Sequence, residues 1–363
     1  MRMRYIDEFR NKDLINKLAG LIHKSATRDY TFMEVCGGHT AAIRRFGIPS
    51  LLPGNVNLIS GPGCPVCVTG TDFIDKAISY SKMEDVIITT FGDLIRVPGS
   101  ISSLEKEKAS GADIRIVLSG LDALEIARSN CEKKIIFLGI GFETTAPGTA
   151  VTIKQAEREN LNNFFLLSAH KLMPPAMEAI IKEGVRLDGF ICPGHVAAIT
   201  GSSIFNFIPV RFNLSCVVTG FEPSDILQSI LMLIKLVNQN TPKVEIQYNR
   251  AVTMHGNSIA QRLLNEVFEP CDTSWRGLGI IPLSGLILKR HFEEFNIEDK
   301  IPSKIINQED NELCICGKIL RGLETPEDCS LFADICSPEN PIGACMVSNE
   351  GACNTWYKYR TVK

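Results

Sequence analysis

Like charges nowhere accumulate in this 363-residue sequence: the net charge is −3, and no block of five or more residues shares one sign. Nucleic acid and anionic membrane surfaces are bound through clustered Lys and Arg, so neither is expected as a partner. Long apolar runs are missing too. The stretch MRMRYIDEFRNKDLINKLAG lacks the continuous apolar core of a signal peptide, and the most apolar helical stretch, DILQSILMLIKLVNQ, is broken by Gln228, Ser229 and Lys235. No membrane span is expected, and a cytoplasmic location is. No G-x-x-x-x-G-K-S/T phosphate loop occurs, which leaves nucleotide hydrolysis without a motif. Short-period repeats and low-complexity tracts are absent as well. With 45% hydrophobic and 22% charged residues, disordered and fibrous classes are excluded, and the length suffices for two or three domains with real cores.

Cysteine is plentiful. An odd count of thirteen in a reducing compartment does not make a disulfide framework, so metal or redox chemistry comes forward. Six (Cys314, Cys316, Cys329, Cys336, Cys345, Cys353) lie in the last fifty residues, and three (Cys36, Cys64, Cys67) flank glycines near the start.

The middle of the chain repeats one pattern: a short β-branched run, a glycine-containing turn, then a helical stretch. VNLIS, DVIITT, DIRIVLS, KIIFLGI, NFFLLSA, DGFICP and SCVVTG read as strands, and TDFIDKAISYSK, LDALEIARSN and APGTAVTIKQAEREN as helices. This is the βαβ pattern of parallel sheets covered on both faces. The expected fold is α/β, with two similar parallel-sheet domains flanking a cleft. A helical segment over 1–30 precedes domain I over 31–130, with CGGHT and GPGCPVC. Domain II follows over 131–240, with GFETT and CPGHV, and the break lies near Asn130. A polar connector, HFEEFNIEDKIPSKIINQEDNE, leads into the cysteine-rich end of a third unit over 241–363. The unusual segments GPGCPVC, TTFGDLIRVPG, GIGFETTAPG, SAHKLMPP and CPGHVAAITG all follow strands, and ligands of open α/β sheets sit outside the strands' carboxyl ends. These segments are expected to face the cleft.

Cys64 and Cys67 form a C-x-x-C at a strand-to-helix turn, which suits a dithiol–disulfide pair, half a zinc site, or part of a thiolate set for another metal. In MEVCGGHT, Cys36 and His39 are three apart, and the glycines between them let the backbone turn sharply and present the thiol; a buried cysteine in a tight turn is the bland alternative. The tail reads Cys314-x-Cys316-x12-Cys329-x6-Cys336-x8-Cys345-x7-Cys353. Structural zinc usually takes two short C-x2–4-C knuckles, and most gaps here are wider. A four-iron cluster takes thiolates from separate loops and tolerates such spacing. The expected ligands are Cys314, Cys329, Cys336 and Cys353, with Cys316 and Cys345 in reserve; zinc is the rival.

The segments EVCGGHT, GPGCPVCVT, FGDLIRVPG, GFETTAPG, CPGHVAAITG and CICGKILRGLETPEDCSLFADICSPENPIGACMVSNEGACNTWYKYR together resemble the HypD family of nickel–iron hydrogenase maturation factors, from about Cys36 onward. The resemblance implies two similar α/β domains and a C-terminal domain with a 4Fe–4S cluster. It also implies a scaffold on which iron acquires two cyanides and one carbon monoxide, as Fe(CN)2CO. A HypC-type chaperone assists, a HypE-type protein donates cyanide, and the product goes on to the hydrogenase large subunit. Cys36, Cys64 and Cys67 match the family's essential cysteines. A cluster paired with a C-x-x-C is also found in ferredoxin–thioredoxin reductase, which implies an electron path from cluster to CPVC.

The residue types agree. Iron(II) carrying cyanide and carbon monoxide is soft and prefers thiolate, which favours Cys36 as a ligand. His39 is a second ligand or an orienting partner. Cys64 and Cys67, at a helix N-terminus that lowers thiol pKa, bind iron transiently or cycle between dithiol and disulfide. Asp93, Arg96, Glu143, Thr144, His170, Lys171 and His195 follow strands, where they can move protons or hold the cyanyl group; Asp93, Glu143 and His195 are the leading candidates. Against this, Asp93 can simply cap a turn, and Glu143 can pair with Arg96. The rival function is a cluster-dependent thiol–disulfide oxidoreductase acting through Cys64 and Cys67, and a structural-zinc α/β protein is the bland one. Cys36 discriminates, because a reductase has no need of a third thiol.

Overall fold

Eleven strands form in the computed structural model, which describes residues 7–303 and 313–360. They are β1 (Tyr30–Glu34), β2 (Val56–Ser60), β3 (Val86–Thr90), β4 (Ile114–Ile116), β5 (Lys134–Gly141), β6 (Phe164–His170), β7 (Gly189–Pro193), β8 (Ser215–Thr219), β9 (Val244–Ile246), β10 (Phe268–Trp275) and β11 (Gly279–Leu288). All seven expected strands are present, with the third, DIRIVLS, cut to the three residues of β4. The chain is α/β. One five-stranded sheet has the order β2-β1-β7-β8-β9 and one four-stranded sheet the order β4-β3-β5-β6, all neighbours parallel, while β10 and β11 make an antiparallel hairpin.

The two sheets are interleaved in sequence. The chain builds β1 and β2, leaves for the whole of the second sheet, and returns for β7 to β9. A boundary near Asn130 therefore does not hold, because Val86 of β3 pairs with Lys134 of β5 across it. The boundary at 240 fails likewise: β9 adds to β8 through Cys216↔Val244. Parallel strands joined by long crossovers can pair with any other strand of like direction, so local pattern did not reveal which returned to which sheet.

Helices cover the outer faces. Lys12–Ser25 and Pro223–Asn238 close the first sheet over Phe32, Ile191 and Val217, and Gly120–Ser129 and Ala146–Arg158 close the second over Ile87, Phe137 and Leu166, together with the hairpin. The inner faces share one continuous core, with Met33, Phe190 and Val218 from the first sheet and Ile88, Leu138 and Leu167 from the second. Ile319, Leu331 and Met346 of the tail belong to that same core. The tail is thus seated against both sheets. Its helix Ala344–Val347 packs on Pro65–Val68, and Ala352–Tyr359 packs on Gly37–Arg45. Of the expected connector and N-terminal segment, 304–312 and 1–6 lie outside the described residues. Among the described residues no helix is long and apolar enough to cross a membrane.

Candidate functional site

Each sheet has one point where strand order reverses: between β1 and β7 in the first, between β3 and β5 in the second. Loops leaving adjacent strands there diverge and open a crevice. Cys36 and His39 lie at the turn and helix start that follow β1, and His195 in the helix that directly follows β7. The loop after β3 carries Asp93, and that after β5 carries Glu143. Three of the expected segments, TTFGDLIRVPG, GIGFETTAPG and CPGHVAAITG, together with MEVCGGHT, therefore occupy the two places where such sheets bind ligands.

Cys36 ends the extended run after β1 and caps the helix Gly37–Arg45, its carbonyl accepting from the N–H groups of His39 and Thr40 at 2.9 and 3.0 Å. GPGCPVC lies directly against it. The Gly37 N–H donates to the Gly63 carbonyl at 2.8 Å, and a Cβ on Gly63 would collide with the backbone N and Cα of Cys36. Glycine is required there because two main chains touch. Cys64 caps Pro65–Val68, its sulfur accepting from the Cys67 N–H at 3.3 Å.

Electrostatics oppose early ionisation of Cys36 and Cys67. Cys36 is half-buried, yet burial pushes it up to about 12, and the Glu350 carboxylate adds to the rise. Burial also holds Cys67 well above the ordinary thiol value. This reverses the expectation that the helix N-terminus lowers it: one four-residue helix cannot offset complete desolvation. Thiols so placed ionise when a metal ion takes the proton's place.

The remaining residues divide. His39 is fully buried, its Nε2–H shared between the carbonyls of Thr219 and Gly220 at 3.2 and 3.0 Å, and burial pushes it down to about 4, so the ring is neutral. His195 is exposed at the start of Gly194–Thr200. Asp93 is exposed; burial raises the Glu350 carboxyl, and the Asp93 charge adds to that rise. Glu143 is buried and pushed up to about 7; its Oε1 accepts from the Met173 N–H at 2.9 Å, and its Oε2 has no partner. It does not pair with Arg96, which instead reaches Glu105 at 3.8 Å and donates to the Pro338 carbonyl of the tail. His170 and Lys171 are bonded to other elements of the fold. His170 is held between Thr149 and Ser168 at 3.1 and 3.2 Å, and Lys171 donates to the Ser274 carbonyl of the hairpin at 2.8 Å. Both are hydrogen-bonded within the fold, and Lys171 also lines a cavity with Asp72 and Ser274.

In the tail, Cys314, Cys329, Cys336 and Cys353 line one small cavity together with Cys316, whose sulfur is 3.2 Å from that of Cys314. The Ile342 N–H donates to the Cys336 sulfur at 3.4 Å, and a Cβ on Gly343 would come within 2.7 Å of Cys314 Sγ. Thiols from separate loops, a backbone donor aimed at sulfur and an apolar wall suit a polynuclear iron–sulfur group. Among the described residues, no three His, Cys, Asp or Glu side chains are gathered as a site for one ion. Cys345 is fully buried, and its thiol meets those of Cys316, Cys353 and Cys67. The tail set and the C-x-x-C are thereby in contact.

Residues 12–360 match a family model described as HypD: Hydrogenase formation hypA family. The chain belongs to the HypD family. It is 46% identical to hydrogenase maturation factor HypD2 of Bradyrhizobium diazoefficiens, over 98% of this chain and 97% of that one. It is 45% identical to hydrogenase maturation factor HypD of Azotobacter vinelandii, with the same shares, and 42% identical to that of Escherichia coli, over 99% and 98%. Within this HypD fold, two residues at the site escaped the sequence reading. Glu34, buried and pushed up to about 8, accepts from the Cys36 N–H at 3.2 Å and from the Thr40 hydroxyl at 2.5 Å. Its place at the carboxyl end of β1, inside EVCGGHT, was the available signal. Phe221, a single aromatic residue after β8, gave none.

Proposed function

We propose that this chain is a hydrogenase maturation factor that works as an assembly scaffold. Iron, its cargo, is anchored by the Cys36 thiolate with Cys64 and Cys67 beside it, and becomes Fe(CN)2CO with a HypC-type chaperone and a HypE-type cyanide donor; the hydrogenase large subunit receives it. The observation that carries this reading is the continuity of thiols: the Cys36 turn is bonded to Gly63, Cys64 caps the turn of Cys67, and Cys67 meets Cys345 of the tail. Soft thiol donors in a largely desolvated setting suit an iron ion that brings strong-field ligands of its own. Cys314, Cys329, Cys336 and Cys353 are the residues to hold a 4Fe–4S cluster, which when bound supplies one-electron redox chemistry. The chain's own part is to keep water from the thiols, to fix Cys36 through Glu34 and the helix turn, and to hold Cys64 and Cys67 close enough to exist as dithiol or disulfide.

Cyanide and carbonyl stretches fall where protein is nearly silent in the infrared. A complex with the chaperone, isolated without oxygen from cells making hydrogenase, is expected to show both, and Cys36→Ala to abolish them. The protein is expected to contain iron and acid-labile sulfide in about equal amounts. Undiminished bands in Cys36→Ala would remove the scaffold reading in favour of the oxidoreductase, and one zinc without sulfide would remove the cluster.

A further inference from the structure

His39 and His195 come from different motif loops on adjacent strands, and a residue belonging to neither motif stands between them. The half-buried ring of Phe221 lies 4.6 Å from His39 with 20° between planes, and 4.0 Å from His195 with 22°. The three rings therefore form a parallel stack that runs from the buried histidine to the exposed one. Its middle layer is braced: Tyr248 meets Phe221 edge-on at 6.0 Å, the Arg250 guanidinium covers Tyr248 at 4.4 Å, and Arg250 grips the buried Asp225 with two hydrogen bonds. The stack also rests on the thiol-bearing turn, since a Cβ on Gly38 would lie 3.1 Å from Phe221 and 3.7 Å from Cys36 Sγ.

The same loop sets the chemistry of His39. Carbonyl oxygens only accept, so the two carbonyls of Thr219 and Gly220 at Nε2 require its hydrogen there, and the lone pair of the neutral ring sits on Nδ1. That atom is buried and has no hydrogen-bond partner. A bare acceptor kept from water is costly and is retained where something else uses it.

We propose that Phe221 is a positioning residue of the iron site: stacked between His39 and His195, it fixes both ring planes and keeps water from Nδ1 of His39 on the turn that presents Cys36. The role at iron rests on the scaffold reading, whereas the stack itself does not. A ring is needed, because an aliphatic side chain fills the volume without holding two imidazoles parallel. Partners that orient metal-site groups without touching the metal commonly change metal affinity 10- to 100-fold.

The test has two arms on the whole chain with its tail intact. In the protein without iron at Cys36, the imidazole proton resonances of His39 and His195 are expected to be shifted upfield by the ring current of Phe221. They are expected to return towards ordinary values in Phe221→Leu and to stay shifted in Phe221→Tyr. In the chaperone complex, cyanide and carbonyl band intensity per chain after long anaerobic dialysis is expected to fall about tenfold in Phe221→Leu and to return to within about twofold of wild type in Phe221→Tyr. Phe221→Met serves where the leucine variant does not fold. Unmoved histidine resonances in Phe221→Leu would overturn the stack, and moved resonances with undiminished bands would overturn its role at iron. Absence of bands from the wild type would remove the scaffold reading and the iron role with it, leaving the resonance arm to decide the stack.

Discussion

The thiols at the front of the chain and those of its tail are held by opposite means. Cys36 and Cys64 sit at helix caps beyond parallel strands, and a backbone hydrogen bond ties their turns together. Of the tail thiols, Cys316, Cys345 and Cys353 lie on the short helices Cys316–Leu320, Ala344–Val347 and Ala352–Tyr359, Cys314, Cys329 and Cys336 lie in the irregular chain between, and several touch one another. Front geometry is paid for by the sheets and persists whether or not anything is bound. Tail geometry has few ladders to hold it, so with the proposed cluster its order is expected to depend on that group as well as on the core contacts of Ile319, Leu331 and Met346.

The contrast breaks most readily by removing one thiol from each region. Cys336→Ala is expected to cost about 4 kcal/mol or more, the range reached when a bound metal group is lost, and to remove iron and sulfide together. Cys36→Ala is expected to stay within about 1 kcal/mol of wild type in anaerobic denaturant melts and to retain both. Similar losses in the two variants would show that both regions depend on their occupants.

A somewhat smaller effect is expected where the front relies on contact between main chains. Gly63→Ala drives a methyl into the Cys36 backbone, which neither strand end can yield to without moving the turn. Overpacking of this kind costs about 1–3 kcal/mol. The variant is expected to keep tail iron and sulfide while losing the cyanide and carbonyl bands; unchanged bands would mean that the iron anchor does not need the CPVC turn.

Where the regions meet, Arg44 of Gly37–Arg45 lies 3.4 Å over the ring of Trp356 in Ala352–Tyr359. Trp356→Ala is expected to cost about 1–2 kcal/mol, from a partly desolvated cation–π contact plus lost apolar area. Amide exchange within Ala352–Tyr359 is expected to speed up, with β1 and β2 unchanged. Equal acceleration in β1 would show that the tail supports the front.

This division also governs what the sequence disclosed. VNLIS, KIIFLGI and SCVVTG read as strands because each is a β-branched run closed by a polar or glycine residue. Strand β1, YTFME, lacks that pattern, although it is an interior strand that pairs on both sides. Pro270 interrupts the run that becomes β10. Cysteines announce themselves by chemistry and spacing, so Cys36, Cys64, Cys67 and the tail set were legible. Glu34 and Phe221 are ordinary residues until the partners of β1 and β8 are known, and no local pattern supplies those partners. The thiol pKa of Cys67 was misjudged for a related reason: a helix N-terminus can be read locally, whereas the depth of burial that overrides it is a property of the assembled fold.

The smallest effect contrasts the two crevices. The first sheet offers thiols and a neutral imidazole; the second offers Glu143, which burial pushes from 4.5 up to about 7 against its own backbone N–H and that of Met173. Between those pH values the folded chain keeps a proton that the unfolded chain releases, so this group's contribution is fully present below about 4.5 and is lost as pH rises through about 7. One proton gives a slope of at most about 1.4 kcal/mol per pH unit. His39 and His170, pushed down to about 4 and 3, act with the opposite sign below their ordinary range, because the unfolded chain takes up protons that the buried rings refuse. The wild-type profile mixes these terms, so the informative quantity is the stability of wild type minus that of Glu143→Gln, measured in denaturant at each pH. That difference is expected to decline from about pH 5 to 7 and then level off. A flat difference would mean that Glu143 is ionised in the folded chain near neutrality, and the contrast between soft donors on one sheet and a proton-holding carboxyl on the other would disappear.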